Sequence, residues 1–358
     1  MVEINDLSKQ INEAIMRMAT DPTNPDHYHT LANLYALDNN FDKVASVYES
    51  LLNIQPDDVN ALLNLGSIYF FSKDFRKALS YYNKALDKNP TNYLVYFNLG
   101  NAYAELKNFS KALNYYNRAL DFNTTSPEIY NAIAMLYHDF EDYVEAKAYY
   151  EKALSIDPNN LSANIDLGNI NFKLFDYDAA LFHYLKIYEA EPDNKTVTIC
   201  IANTYSLLKN AEKTWEFFEK ALKLPGDNYK TYICYAIAKS DFKDFDGAID
   251  IYKQAIKYNP EEKNAYILLA NLYSNLERYS EAIDYYEKAL DINEYDTNTR
   301  VLLANTYYMD NKIEDALESY RYVSNLEPEN DEYKLVYINL LEDYIVDKRA
   351  GELLENVW

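Results

Sequence analysis

The 358-residue sequence predicts an all-α solenoid of stacked helix pairs, on three observations. Pro22, Pro56, Pro90, Pro158, Pro192, Pro260 and Pro328 are separated by multiples of 34 residues, the mark of a repeat array. Within each period, apolar and small residues recur at i, i+3, i+4 and i+7, the spacing of one helix face. Six glycines and ten prolines are too few for the many tight turns of a strand-rich fold.

Each element follows from this period. Ahead of Pro22, Ile4, Leu7, Ile11, Ile15 and Met18 fall on one side of a helix and predict an N-terminal cap over residues 1–24. Nine repeats follow without insertion or deletion: 25–58, 59–92, 93–126, 127–160, 161–194, 195–228, 229–262, 263–296 and 297–330. In 59–92, Leu62, Leu65, Gly66 and Tyr69 form the first stripe, Ser72–Asp74 a polar turn, and Ala78, Tyr82 and Ala85 the second stripe. Asn89-Pro90 stops the second helix, because proline disfavours a helical conformation in the residue before it. Residues 331–358 begin a tenth repeat and end before completing it.

Seven of these positions recur as Tyr96, Leu99, Gly100, Tyr103, Ala112, Tyr116 and Ala119 in the third repeat and as Tyr266, Leu269, Ala270, Tyr273, Ala282, Tyr286 and Ala289 in the eighth. This pattern resembles the tetratricopeptide repeat over essentially the whole chain. The resemblance implies a right-handed superhelix whose first helices line a concave face, and a non-catalytic scaffold that binds a protein or peptide there. Small residues at position 8 of each repeat, such as Ala32, Gly66 and Gly100, let the two helices approach closely. Twenty of the 38 tyrosines fall at positions 4, 11 or 24, which makes them core rings rather than stacking platforms for bases.

Composition excludes several classes of partner. The 34 basic against 57 acidic residues give a net charge of −23, which repels nucleic-acid phosphates and anionic lipid headgroups. No apolar run is long enough for a membrane helix, so membrane insertion is not expected. MVEINDLSKQ lacks the pattern of a secretory leader, and with only Cys200 and Cys234 a cytoplasmic location is expected. The two cysteines sit one period apart on neighbouring first helices, too far for an unstrained disulfide, and are expected as free thiols. His27, His29, His138 and His183 show no metal-ligand spacing. Asp244-Phe245-Asp246-Gly247 fails as a calcium loop, with Phe242 at the first ligand position and Lys253 at the last. No phosphate loop, nucleophile elbow or Ser/His/Asp set is present, so neither an enzyme nor a cofactor is expected.

In the family, positions 2, 5, 9, 12 and 13 of the first helices face the groove. Carried over, the resemblance makes that surface apolar, through Leu63, Phe70, Phe71, Phe97, Met135 and Phe172. It also gives an asparagine ladder: Asn101, Asn169, Asn203, Asn271 and Asn305 at position 9, with Asn64 and Asn98 at position 6. An amide offers both donor and acceptor, so such a ladder suits the backbone of an extended peptide. The carboxylate clamp that holds chaperone tails in some relatives is not expected, since His29, Asn33 and Asn64 are followed by Asn101 and Glu105 where cations belong.

Two regions depart from the pattern. Between residues 195 and 241, Thr198 and Thr214 replace apolar or small residues, Pro225-Gly226 moves the helix stop, and Lys239 takes the usual tyrosine place. A buried lysine is costly, so Lys239 is expected to extend to solvent. At the other end, Leu353, Leu354, Val357 and Trp358 are expected to leave an apolar face for a second copy or a partner, which would make the chain an assembly protein. A third expectation is a targeting or regulatory module for an enzyme on a separate chain.

Overall fold

The structure, a computed structural model, describes residues 2–355. The side chains of residues 2–5, 347 and 349–355 lie outside that description, as do residues 356–358 altogether. The interface expected at Leu353, Leu354, Val357 and Trp358 therefore falls outside the described residues.

Among the described residues the chain is twenty α-helices. Helix α1 spans Val2–Thr20, and nine helix pairs follow. They are α2 (Pro25–Leu37) with α3 (Phe41–Ile54), α4 (Val59–Phe71) with α5 (Phe75–Lys88), α6 (Tyr93–Glu105) with α7 (Phe109–Phe122), and α8 (Pro127–Asp139) with α9 (Tyr143–Ile156). Next come α10 (Leu161–Lys173) and α11 (Tyr177–Ala190), α12 (Lys195–Leu207) with α13 (Ala211–Lys223), and α14 (Tyr229–Asp241) with α15 (Phe245–Tyr258). The last pairs are α16 (Lys263–Asn275) with α17 (Tyr279–Ile292) and α18 (Thr297–Met309) with α19 (Ile313–Leu326), before α20 (Asp331–Glu355). The helices group into two compact bodies, one up to Asp176 and one from Tyr177. Each body is a solenoid stack in which successive helices pack on one another, α1 to α10 in the first and α11 to α20 in the second.

Local chemistry sets the helix ends. Asp58 caps α4, its Oδ1 accepting from the Ala61 N–H at 2.8 Å, and Asp74 caps α5 through the Lys77 N–H at 3.1 Å. The turn inside each repeat depends on one residue in the left-handed region at position 15. Asn39, Lys73, Lys107, Glu141, Phe175, Lys209, Lys243, Glu277 and Asn311 all have φ between 54 and 63°. In the stretch from 331, position 15 is Ile345, and a β-branched side chain resists positive φ. Position 16, an N-cap elsewhere, is Val346, which cannot cap. Helix α20 accordingly runs on without a turn for 25 residues, where each preceding first helix has 13. Its described side chains leave Leu335, Val336, Ile338, Ile345 and Val346 exposed.

Packing then joins the helices. A Cβ built on Gly66 would lie 2.3 Å from Tyr82 Cε1, and one on Gly100 would lie 2.5 Å from Tyr116 Cδ1, so these rings rest directly on backbone. Tyr82, Tyr150 and Tyr286, all at position 24, are among the largest fully buried side chains. Ala14, Ile11 and Met18 of α1 join the cluster of Tyr28, Leu31 and Leu51, which covers the first pair.

In the irregular stretch 195–241 several buried polar groups find partners, although the Tyr229 hydroxyl and Thr231 Oγ1 are buried without one. Thr198, Thr204 and Thr214 are buried, and each hydroxyl donates to the carbonyl four residues earlier, at 2.7–2.9 Å. Gly226, with φ of 102°, shapes the loop after α13. Lys195 closes that loop, its ammonium donating to Leu224 O, Gly226 O and Asn228 Oδ1. Lys239 is half-buried, and its ammonium meets the exposed carboxylate of Asp244. Its Nζ sits 4.1 Å from the Trp215 ring centroid and 2.7 Å from Asp244 Oδ2, so the side chain runs across an aromatic face to a carboxylate at the surface.

Candidate groove on the first helices

The first helices place the predicted site residues in three different environments. Leu63 is buried, packed with Ala78, Tyr82 and Leu99 in the core between repeats. Phe97 is half-buried, 6.0 Å from the Tyr116 ring, and Phe70 and Phe172 are also half-buried. Phe71 is 82% exposed and Met135 54%, so these two present most of their surface to solvent. Phe70 supports Phe71 edge-on at 5.6 Å.

The asparagines have a constraint that spacing alone does not show. Asn101 Oδ1 accepts from the Tyr116 hydroxyl at 2.8 Å, and Asn271 Oδ1 accepts from Tyr286 at 2.5 Å. Asn305 accepts from Tyr320 in the same way. Each pair joins position 9 of the first helix to the buried tyrosine at position 24 of the second. As placed, each of these amides spends its oxygen on the tyrosine and not its N–H₂; a tyrosine hydroxyl also accepts, as Tyr48 does from Asn64, so the bond fixes the amide's position rather than its sense. In the second repeat Ser67 takes the asparagine's place, 3.3 Å from the Tyr82 hydroxyl. Asn64 is exposed and uses its amide differently, donating to the Tyr48 hydroxyl at 3.0 Å. Asn98, Asn169 and Asn203 are half-buried, and Asn203 hydrogen-bonds the Cys234 thiol.

Cys200 and Cys234 are free and half-buried. Burial pushes both thiols above their ordinary range, against opposing contributions from Lys230 and hydrogen bonds. They therefore hold their protons at neutral pH and are poor nucleophiles.

Asp166 on α10 was not singled out from sequence. Burial raises its carboxyl above the usual range, while the Tyr150 hydroxyl, donating at 3.2 Å, and nearby His138 pull it back. The signal that could have found it is the register, because position 6 of one repeat lies beside position 24 of the repeat before, as Asn64 lies beside Tyr48.

Among the described residues no helix is long and apolar enough to cross a membrane, and no group of three or more His, Cys, Asp or Glu could hold a metal ion.

Paired helices of constant length, stacked through small-residue contacts, define an α-solenoid repeat protein. Tetratricopeptide-repeat family models match residues 57–124, 127–160, 161–194, 236–297 and 276–337. The chain belongs to the tetratricopeptide-repeat family and is a protein–protein interaction scaffold. No curated protein matches it in sequence. Among solved structures, it is similar to the C-terminal part of a TPR repeat-containing protein from Cytophaga hutchinsonii, at 17% identity over 66% of this chain and 97% of that chain, with a TM-score of 0.53. It is also similar to yeast Tom70, at 18% identity over 97% of this chain and 94% of that one, TM-score 0.45. A third is YrrB, a TPR protein with an unusual peptide-binding site, at 20% identity over 55% of this chain and 99% of that one, TM-score 0.45. At such identities the likeness is one of fold.

Proposed function

We propose that the chain is a non-catalytic scaffold that holds an extended segment of a partner protein along its first helices. The observation that carries this reading is that Asn101, Asn271 and Asn305 are each anchored to a tyrosine of the paired helix through one half of the amide, which leaves the other half for the backbone of a bound segment. Exposed Phe71 and Met135 supply apolar seats for the segment's side chains. The test is binding of peptides selected from a random display library, measured by fluorescence polarisation. Phe71→Ala with Met135→Ala should weaken binding by roughly 2 kcal/mol, as loss of interfacial anchors does. Affinity should persist at high salt, because apolar contacts are not screened. Binding that ignores both substitutions and vanishes in salt would move the site to the acidic exterior.

A second reading, self-assembly through the C-terminal end, draws on the exposed Leu335, Ile338 and Ile345 of α20. Ile338→Glu with Ile345→Glu should then lower the mass seen by light scattering. An unsubstituted chain that is monomeric at high micromolar concentration rules the homodimer out.

A further inference from the structure

On the side of the first helices away from the asparagines, a second device repeats along the chain. The tyrosine at position 11 stacks on a tyrosine at position 23 of its partner helix: Tyr69 on Tyr81 at 5.5 Å, Tyr103 on Tyr115 at 5.4 Å, Tyr137 on Tyr149 at 5.6 Å and Tyr273 on Tyr285 at 5.6 Å. Cations cover most of these rings. Lys77 lies 4.8 Å from the Tyr69 centroid, Lys111 4.8 Å from Tyr103, and Arg278 4.6 Å from Tyr273. Tyr137 has Glu145 at position 19 but keeps its stacking ring.

The ninth repeat keeps the tyrosine and loses both companions. Tyr307 stands at position 11, and its hydroxyl donates to Glu287 at 2.7 Å, as Tyr69 donates to Glu49 at 3.3 Å. Position 23, however, is Ser319, and position 19 is Asp315. The space that a ring and a lysine occupy elsewhere is a cavity of about 440 Å³ between α17, α18 and α19. Tyr307, Glu287, Asp315, Glu318 and Ser319 line it. Arg300 is also at its wall: it lies 4.1 Å from the Tyr322 centroid and donates to Glu294 O, while its Nε is buried without a partner and its charge is felt at Tyr307. Among the described residues no cation covers Tyr307.

The first repeat is an internal control. Position 23 is again small there (Val47), and a cavity of about 310 Å³ opens in the same register, lined by Tyr35, Lys43 and Val47. In that repeat the chain supplies its own cation, since Lys43 lies 4.9 Å from the Tyr35 centroid. The ninth repeat is thus the one of the two that has the aromatic face and the room, with carboxylates in place of the lysine.

We propose that this cavity is a binding site for an arginine side chain of a partner protein. The guanidinium plane stacks on Tyr307 where a tyrosine ring lies in other repeats, and its N–H groups face Asp315, Glu318 and Glu287. A planar, permanently charged group meets both requirements, whereas an ammonium meets only the charge. The site is separate from the asparagine face and does not depend on the reading of that face.

The experiment titrates the full chain, carrying ¹³C-labelled tyrosine, with acetyl-Gly-Arg-Gly-amide and follows the Tyr307 ring resonance. The arginine peptide should shift it, and the peptide with neutral citrulline should bind at least about tenfold more weakly. Ser319→Tyr and Asp315→Lys rebuild what the second and third repeats contain. Each should abolish the shift while leaving helical content and melting temperature unchanged or raised. No shift by about 10 mM peptide, equal binding of citrulline, or undiminished binding by Ser319→Tyr overturns the site. A lysine peptide that binds as tightly as arginine overturns the guanidinium assignment.

Discussion

The second repeat and the sixth hold the same helix pair together by different means. In residues 59–92 the joint is apolar: Tyr82 lies against the bare backbone of Gly66, with Leu62, Leu65, Ala78 and Ala85 buried around it. In residues 195–228 position 4 is Thr198 and position 20 is Thr214, buried hydroxyls that return their hydrogen bonds to their own helices. The aromatic load shifts to Phe217 and Phe218, the latter stacked on Tyr235 at 5.0 Å. A polar clamp is added at the edge by Lys195, and Trp215 receives Lys239 of the next repeat. The geometry of a repeat is therefore a volume and hydrogen-bond requirement that more than one residue set can meet. A buried hydroxyl is tolerated because a helix carbonyl four residues back accepts from it.

The largest effect should come from the apolar joint. Tyr82→Ala removes a ring that is 2% exposed and leaves a cavity, at a cost of about 3–5 kcal/mol. Because contacts run between neighbours, the loss should be local: hydrogen exchange should quicken in α4 to α6 while the body from Tyr177 keeps its protection. Uniform loss of protection over both bodies would contradict a nearest-neighbour solenoid.

A smaller effect is expected at the polar clamp. Lys195→Met keeps the alkyl stem but frees the Leu224, Gly226 and Asn228 acceptors, which water can partly satisfy in this half-exposed loop. A cost of about 1–2 kcal/mol is expected, read as a lower urea midpoint with unchanged slope. If this substitution cost as much as Tyr82→Ala, the clamp rather than packing would be the main support of the sixth repeat, and the contrast between the two repeats would fail.

Fold and family were legible in the sequence because a 34-residue period is written along the chain and each helix carries its own stripe, caps and stop. The character of the candidate site was only partly legible. Position 9 asparagines could be counted, but Asn101, Asn271 and Asn305 acquire an anchor only when a tyrosine 15 residues later folds back on them. Leu63 and Phe71 look alike as apolar residues on one helix, yet packing against the next pair buries the first and leaves the second 82% exposed. The partner of Lys239 was not legible, because the Trp215 ring it crosses lies on a different helix.

What the sequence by itself determined is the local part: where helices start, where they turn, and that each must stack on a neighbour to bury its stripe. The missing turn in α20 belongs here as well, since Ile345 and Val346 stand where a left-handed residue and a cap are needed. Only the tertiary structure decided which polar atoms are consumed inside the fold and which remain for a partner. It also decided where a missing ring opens a cavity, as it does beside Tyr307. The physical reason is range: caps and stripes act within a few residues of one chain segment, whereas exposure, amide anchoring and empty volume are set by side chains that meet across different helices.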